Sequence, residues 1–504
     1  MIELLFGVYW LAVLGLFAYG ANCYVLAFAH RRGRASNLAR LARLRAEYAA
    51  SGDELPAVTV QLPIYNERFV VERLLRAVAA FDYPRDRLDV QVLDDSTDDT
   101  SGITARVVAE LAADGLDIRH VRRPHRSGYK AGALRDGLAT ARGELIAIFD
   151  ADFVPQPEFL RETVPLFSQE RVGLVQARWG HLNRDHSALT RAQALAIDGH
   201  FGVEQSGRCW AGWLLNFNGT AGVWRRRAIE EAGGWQADTL TEDLDLSYRA
   251  QLAGWRIEYA FDVEVPAEIP ADIAAFKSQQ RRWAKGSIQT ARKLLPRVLA
   301  APLPWTTRVQ AVLHLTHYLV HPLMLTVAAL AAPVLLGWQG APIPRPVFWT
   351  LAALLVIGTA GPSTLYVTSQ RALRCDWKRR LASLPLLMLL GTGIAVSNAR
   401  AVFEALLGVK SGFVRTPKAS LTDSSAAIIA PPPGDARAYR LNGDLVFAFE
   451  ALLALYSAWG LSIYLERGRW LIGPFLALYA LGFAWVALLS LREHLRERVR
   501  RRLA

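Results

Sequence analysis

The chain has 504 residues, of which 52% are hydrophobic, and a formal net charge of +12 at pH 7. This length exceeds one ordinary domain and this apolar content exceeds that of a typical soluble protein, so a mixture of soluble and membrane parts is predicted. The positive charge lies beside apolar runs, at residues 31–45, 371–380 and 492–502, which is typical of membrane flanks and argues against nucleic-acid binding. The three cysteines form no CxxC pair, so neither a zinc site nor a disulfide framework is expected.

The first apolar run covers residues 2–28 and is long enough to cross a bilayer as one helix. It lacks the positive start of a secretory signal, so we predict an uncleaved transmembrane helix within residues 1–30. An arginine-rich stretch follows the run at residues 30–34. This bias places the N-terminus outside and the next part of the chain in the cytosol.

Residues 54–270 consist of short β-rich runs that alternate with amphipathic helical stretches. This alternation predicts an α/β domain with a mostly parallel sheet. Three of the runs, at residues 58–62, 90–93 and 145–149, end in polar or acidic clusters. Because ligands bind at the carboxyl ends of strands in open α/β sheets, we expect these clusters to form one site.

One of these clusters contains two aspartates with a single residue between them, Asp150 and Asp152. In an extended chain this spacing directs both side chains to the same face. Adjacent carboxylates repel each other unless a cation lies between them, and Mg²⁺ typically takes one or two carboxylates with substrate phosphate oxygens. A surface turn often carries the same pattern, but its position after a buried-looking strand favours a metal site.

Three further segments each allow two interpretations. Lys130 lies near the start of a predicted helix and is either a diphosphate ligand or a solvated surface lysine. Asn218 and Gly219 form a tight turn or a loop that approaches an acceptor. Glu242 and Asp243 open a helix, where acidic residues stabilise the helix start and one carboxylate can also accept a proton from a sugar hydroxyl.

Six motifs occur in a set order along this domain and the helix after it. They are Tyr65-Asn66-Glu67, Asp94-Asp95-Ser96, Lys130-Ala131-Gly132, Asp150-Ala151-Asp152, Thr241-Glu242-Asp243 and Gln279-Gln280-Arg281-Arg282-Trp283. This pattern resembles glycosyltransferase family 2, and more narrowly the cellulose-synthase-like branch with its glucomannan and xyloglucan-backbone synthases and bacterial relatives. The resemblance implies a Rossmann-like GT-A fold for a cytosolic catalytic domain inserted between transmembrane helices. It also implies that residues 271–300 form an interfacial amphipathic helix.

The same resemblance implies a role for each matching residue. The residues implied to bind the donor nucleotide sugar are Tyr65 and Asp94 at the nucleobase and Lys130 at the diphosphate, with Glu67, Asp95 and Asp150 nearby. For Mg²⁺ or Mn²⁺ they are Asp150 and Asp152. For catalysis they are Asp243 as the general base and Glu242 beside it, and for the acceptor and diphosphate they are Gln279, Arg282, Trp283, Asn218 and Gly219.

A later segment resembles the F-x-V-T-x-K gating loop of cellulose-type synthases. Its matching residues are Phe413, Thr416 and Lys418, whereas Arg415 takes the place of the valine and Val414 the preceding position. Because of this departure, the contacts of the loop stay open. A basic turn beside the membrane is the alternative interpretation.

Downstream apolar runs predict two spans within residues 305–370 and two within residues 445–492, which makes five crossings in all. The run at residues 381–396 is short for a crossing, and if it crossed, the gating-like loop would lie outside. The remaining predicted segments are an interfacial or re-entrant helix with the loop at 381–420, a flexible linker at 421–444 and a basic cytosolic tail at 493–504.

These predictions describe a multi-pass protein of the cell inner or plasma membrane, with its catalytic domain and C-terminus in the cytosol. The expected function is that of an inverting, metal-dependent, processive β-glycosyltransferase. It would elongate a polysaccharide of the β-glucan, mannan or glucomannan type from UDP-glucose or GDP-mannose and translocate it into or across the membrane. Its expected partners are the nucleotide sugar, a glycan acceptor and the lipid bilayer, without nucleic acid. A single-addition glycolipid transferase is the alternative within enzymes, and a non-catalytic membrane scaffold or transporter is a remote one. Linkage, product length and oligomeric state are left open.

Overall fold

A computed structural model describes residues 2–337, 345–412, 443–468, 470 and 473–503. Its first helix, α1 (Ile2–Ser51), has 50 residues and continues unbroken from the apolar run into the arginine-rich stretch. The second part of the helix packs on the α/β domain, where Arg40 Nη2 lies 2.6 Å from Glu258 Oε1. Helix α1 is therefore longer than the predicted span, and its second part joins that span rigidly to the α/β domain.

The α/β domain is built on one seven-stranded sheet with the order β3-β2-β1-β4-β6-β5-β7. The strands are β1 (Val58–Ile64), β2 (Leu88–Asp94), β3 (Asp117–Arg122), β4 (Leu145–Ile148), β5 (Val172–His181), β6 (Gly222–Arg225) and β7 (Arg256–Ala267). Strand β6 is antiparallel to β4 and β5, whereas the other pairs are parallel. The mixed, mostly parallel sheet confirms the predicted α/β class.

Helices cover both faces of this sheet, which is why the central strands consist largely of valine, leucine and isoleucine. Every residue of β2 and β4 is buried. The helices of the domain are α2 (Val71–Ala79), α3 (Thr100–Ala113), α4 (Tyr129–Thr140), α5 (Phe159–Thr163), α6 (Ala188–Gly199), α7 (Ser206–Trp210), α8 (Arg226–Glu231) and α9 (Glu242–Leu252). A π-helical turn, His200–Gln205, joins α6 to α7.

The remaining helices follow the domain in sequence. They are α10 (Ile273–Ala300), α11 (Trp305–Leu315), α12 (Val320–Gly337), α13 (Arg345–Leu373), α14 (Trp377–Arg380), α15 (Leu384–Gly393), α16 (Ala395–Leu406), α17 (Gly443–Glu466) and α18 (Gly473–Leu503). Helix α10 is tied to the last two helices through Lys277, whose Nζ donates to the buried Glu450 at 2.8 Å and to Ser490 at 2.9 Å. A buried carboxylate is tolerated there because it is paired.

Five helices among the described residues are long and apolar enough to cross a membrane: Glu3–Ser51, His317–Gly337, Arg345–Leu373, Val446–Glu466 and Gly473–Arg496. Their number equals the number of predicted spans. The helices around the run predicted to be re-entrant form a pair bent by 44°. The gating-like residues Phe413, Thr416 and Lys418, and the linker up to residue 442, lie outside the described residues.

Candidate active site

The polar strand ends, the first turns of α4 and α9 and the first half of α10 surround one cavity of about 180 Å³. Its lining includes nearly all the described residues that the sequence singled out. These are Tyr65, Glu67, Asp95, Lys130, Asp150, Asp152, Asn218, Gly219, Glu242, Asp243, Gln279, Arg282 and Trp283. Segments more than 200 residues apart in the chain therefore meet in one place.

Asp94 is the exception, because it does not line this cavity. Its side chain is buried, with Oδ2 2.8 Å from His120 Nε2 and Oδ1 accepting the Ser96 N–H at 2.8 Å. Burial opposes ionisation, but these hydrogen bonds prevail and lower the pKa of Asp94. The neighbouring Asp95 lines the cavity instead, held by Arg123 through two bonds of 2.9 and 2.5 Å. Asp94 thus supports the loop and Asp95 faces the ligand space.

Strained backbone marks the loops around the cavity. Among the described residues, the non-glycine positions with positive φ are Asn66 (56°), Tyr129 (51°) and Ala221 (52°). Each lies beside, or two residues after, a residue that lines the cavity. Such conformations cost about 1–3 kcal/mol each and persist only where the surroundings enforce them, which is common at functional sites.

Lys130 projects from the first turn of α4 into the middle of the acidic cluster. Its Nζ donates to Asp150 Oδ1 and, at 2.8 Å, to the carbonyl of Gly219. Burial alone would lower the pKa of Lys130, but the carboxylates of Asp150, Glu242 and Asp243 raise it overall. The lysine is therefore a cation at neutral pH.

Asp150 and Asp152 both line the cavity, with the Asp150 side chain 36% exposed and Asp152 buried. The Asp150 N–H donates to Thr220 Oγ1 at 2.8 Å, which fixes the strand end. The described residues contain no ready-made cluster of three or more His, Cys, Asp or Glu ligands. Two carboxylates with open space beside them nevertheless fit an Mg²⁺-type ion that completes its coordination with substrate phosphates.

Asp243 lies in the first turn of α9, where its Oδ1 accepts the Leu244 N–H at 2.8 Å. Burial, followed by the charge of Glu242, raises the pKa of Asp243 to about 7. Burial also raises the pKa of Glu242. Gly219 packs directly against this carboxylate: its φ is 83°, and a Cβ there would lie 2.9 Å from Asp243 Oδ2. A carboxylate with this pKa suits a general base near neutral pH.

Helix α10 contributes Gln279, Arg282 and Trp283 to the wall of the cavity. Arg281, within the same motif, instead pairs with Glu404 of α16 at 2.7 Å. A second cavity of about 600 Å³ is also lined by Asp243 and Trp283, and it continues between the apolar helices. Asp243 and Trp283 therefore lie where the smaller cavity at the sheet meets the larger cavity between the helices.

Arg126 is a cavity residue that sequence reasoning missed. It lies between β3 and α4, with its Cζ 3.4 Å from the centroid of the Tyr65 ring. Its position four residues before Lys130 was the available signal, but one arginine among 58 basic residues does not stand out. Only the fold brings it to Tyr65.

Residues 56–286 match the family model described as "Glycosyltransferase like family 2". This segment is a glycosyltransferase family 2 domain. The match begins just before β1 and ends within α10, so it contains the whole sheet and the motif at residues 279–283. The family 2 domain thus comprises every described residue that lines the smaller cavity.

The family 2 domain is similar to plant enzymes of the cellulose-synthase-like branch. Glucomannan 4-beta-mannosyltransferase 1 of Oryza sativa subsp. japonica is 45% identical over 249 residues, 48% of this chain and 48% of the relative. Glucomannan 4-beta-mannosyltransferase 2 of Arabidopsis thaliana is 44% identical, over 48% of this chain and 47% of the relative. The alignment therefore spans about half the length of these curated relatives.

Among solved structures, the chain is similar to the mannosyltransferase PcManGT from Pyrobaculum calidifontis in complex with GDP-Man and Mn2+. The identity is 22% and the TM-score 0.47, covering 78% of this chain and 100% of that one.

Proposed function

We propose that the protein is an inverting, metal-dependent β-glycosyltransferase that adds hexoses from a nucleotide sugar to a growing β-glycan. The observation that carries this proposal is the position of Asp243, a carboxylate with a pKa of about 7, in one cavity with a cation, an aspartate pair and a tryptophan. A base, a diphosphate-binding side and a sugar-binding surface are the parts that such a transfer needs. The family membership of the domain supports the same conclusion.

In the proposed mechanism, Asp243 takes the proton of the acceptor hydroxyl as that oxygen attacks the anomeric carbon. The nucleoside diphosphate leaves from the opposite face of the sugar, so the configuration inverts. Lys130 and Arg282 lie on the cavity wall and would bind the diphosphate oxygens as negative charge develops there. A divalent ion held by Asp150 and Asp152 would supply further positive charge at this leaving group.

The transferred sugar is proposed to be mannose, and the product a β-1,4-linked mannan or glucomannan. Both alignments above are with proteins named as glucomannan 4-beta-mannosyltransferases, at 44–45% identity across the domain. At this identity the cavity residues are expected to serve the same class of substrate. Glucose from UDP-glucose is the second candidate.

Processive synthesis with passage into the membrane is proposed from the larger cavity. It runs from Asp243 and Trp283 to residues of the apolar helices, including Tyr9 on α1 and Tyr479 on α18. A glycan extended at Asp243 would lengthen into this space, and aromatic rings suit contact with sugar faces. We also propose the predicted five-span topology, with the family 2 domain in the cytosol and α10 at the membrane surface.

The proposal is tested by incubating the detergent-purified full chain with GDP-mannose, UDP-glucose and a panel of other sugar nucleotides. We expect GDP release from GDP-mannose and a β-1,4-linked product in linkage analysis. A product of many residues supports processive synthesis, whereas a single added sugar on a lipid would favour a glycolipid transferase. No diphosphate release from any donor would refute an enzymatic role.

Glu242→Gln is expected to move the acidic limb of the pH–rate profile to lower pH. A general base works only when deprotonated, and the charge of Glu242 is one of the two main causes that raise the pKa of Asp243. Removal of this charge lowers that pKa, so Asp243 stays ionised in more acidic solution. Initial rates from pH 5 to pH 9 measure the effect; an unmoved limb would show that the two carboxylates are not coupled during transfer.

A further inference from the structure

We propose that Arg126 reads the base of the donor nucleotide and favours guanine over uracil. This inference rests on the proposed transfer from a nucleotide sugar and adds a residue that determines donor specificity. It is carried by the position of Arg126 across the sheet, by its contacts with two tyrosines and by the hydrogen-bonding pattern of the bases.

The sheet order places Arg126 at the nucleoside end of the cavity. Arg126 follows β3, Tyr65 follows β1 and Asp150 follows β4. These strands lie in the order β3-β2-β1-β4 across the sheet. The metal and diphosphate side thus lies at β4, and the acceptor side lies beyond it at Trp283. A donor whose diphosphate meets Lys130 can place its base against Tyr65 and Arg126, which both line the cavity.

The guanidinium of Arg126 is held by aromatic rings. Its Cζ lies 3.4 Å from the centroid of the Tyr65 ring and 5.1 Å from that of Tyr129. The turn that presents it contains two consecutive left-handed residues, Gly128 with φ 71° and Tyr129 with φ 51°. A guanidinium that stacks on a ring directs its N–H groups sideways, in its own plane, toward the edge of a neighbouring base.

Arg123, the other arginine of this loop, holds two carboxylates. Arg123 holds Asp95 through Nε and Nη2 and also contacts Asp136 at 3.1 Å. Arg123 is therefore the residue that forms the ion pair with Asp95. Arg126 is the cavity-lining arginine on this side of the sheet.

The nucleobases differ in the hydrogen-bonding groups that they present to the guanidinium. Guanine presents two adjacent acceptors, O6 and N7, which suit a bidentate arginine. Uracil presents O4 next to a C–H group, and adenine places an amino donor beside N7, so neither accepts two parallel hydrogen bonds. One bidentate contact supplies discrimination of about 5- to 150-fold at 25 °C, which corresponds to about 1–3 kcal/mol.

The test measures dissociation constants of GDP, 7-deaza-GDP and UDP by calorimetry on the purified full chain. In the unmodified protein we expect GDP to bind at least about fivefold tighter than both other ligands, because 7-deaza-GDP lacks only the N7 acceptor. Arg126→Met keeps an apolar stem against Tyr65 but removes the N–H groups, so it should bind GDP and 7-deaza-GDP equally. Arg135→Ala, at a 58%-exposed position on α4, is the matched control and should behave as the unmodified protein.

Equal binding of GDP and 7-deaza-GDP by the unmodified protein would overturn the inference without reference to any variant. Equal weakening of GDP and UDP by Arg126→Met would also overturn it, because Arg126 would then contact phosphate. Tighter binding of UDP than of GDP would refute guanine selection while leaving the transfer proposal intact. Binding of no nucleotide would refute the proposed function itself, so the two failures are distinguishable.

Discussion

Asp243→Asn is expected to lower turnover by roughly 10²-fold or more, the usual contribution of a general base, while donor binding is largely retained. Asparagine has the same shape, and its Oδ1 can still accept the Leu244 N–H that Asp243 accepts at 2.8 Å. The variant therefore keeps the helix start and loses only the group that accepts the proton. Turnover and donor affinity, measured separately, give the result.

The control for this substitution is Asp238→Asn, at a 56%-exposed position that pairs with Lys293. It should leave turnover unchanged. Near-normal turnover of Asp243→Asn would contradict its role as the base and direct attention to Glu242. Asp245 is a poor substitute, because it is fully buried and ion-paired with Arg249 and Lys293 at 2.7 and 2.8 Å.

Chelation of divalent ions is expected to abolish transfer, and Mn²⁺ or Mg²⁺ to restore it, in the protein with both Asp150 and Asp152. Asp152→Ala should not be rescued by either ion. The physical reason is that two neighbouring carboxylates beside a diphosphate require a cation to offset their repulsion. Calorimetric titration of GDP with and without Mn²⁺ gives a readout independent of activity: the ion should tighten GDP binding in the unmodified protein and have no effect in Asp152→Ala.

Asp185→Ala is the control for Asp152→Ala, since Asp185 is 75% exposed and lies outside both cavities. It should retain metal-dependent binding and transfer. Full activity of the unmodified protein in the presence of excess chelator would contradict the metal role of the aspartate pair. Lys130, which contacts Asp150, would then be the remaining cation for the diphosphate.

The sequence by itself determined the class of the fold and grouped many of the residues that line the smaller cavity. Alternating β-rich and amphipathic runs indicate an α/β domain, and side chains at the carboxyl ends of parallel strands must share one edge of the sheet. For this reason the clusters at Tyr65, Asp95 and Asp150 could be grouped before any coordinates. Hydrophobic length likewise determined the number of candidate spans, because a bilayer requires about 20 apolar residues per helix.

The tertiary structure decided what local pattern cannot express. The choice between Asp94 and Asp95 depends on His120, which a neighbouring strand brings within 2.8 Å of Asp94. The pKa of Asp243 depends on burial and on a nearby charge, and the place of Arg126 depends on the tyrosine that it stacks on. The burial of Asp243, the His120 contact and the Arg126–Tyr65 contact join segments distant in sequence, and spacing along the chain carries no information about which of their atoms meet.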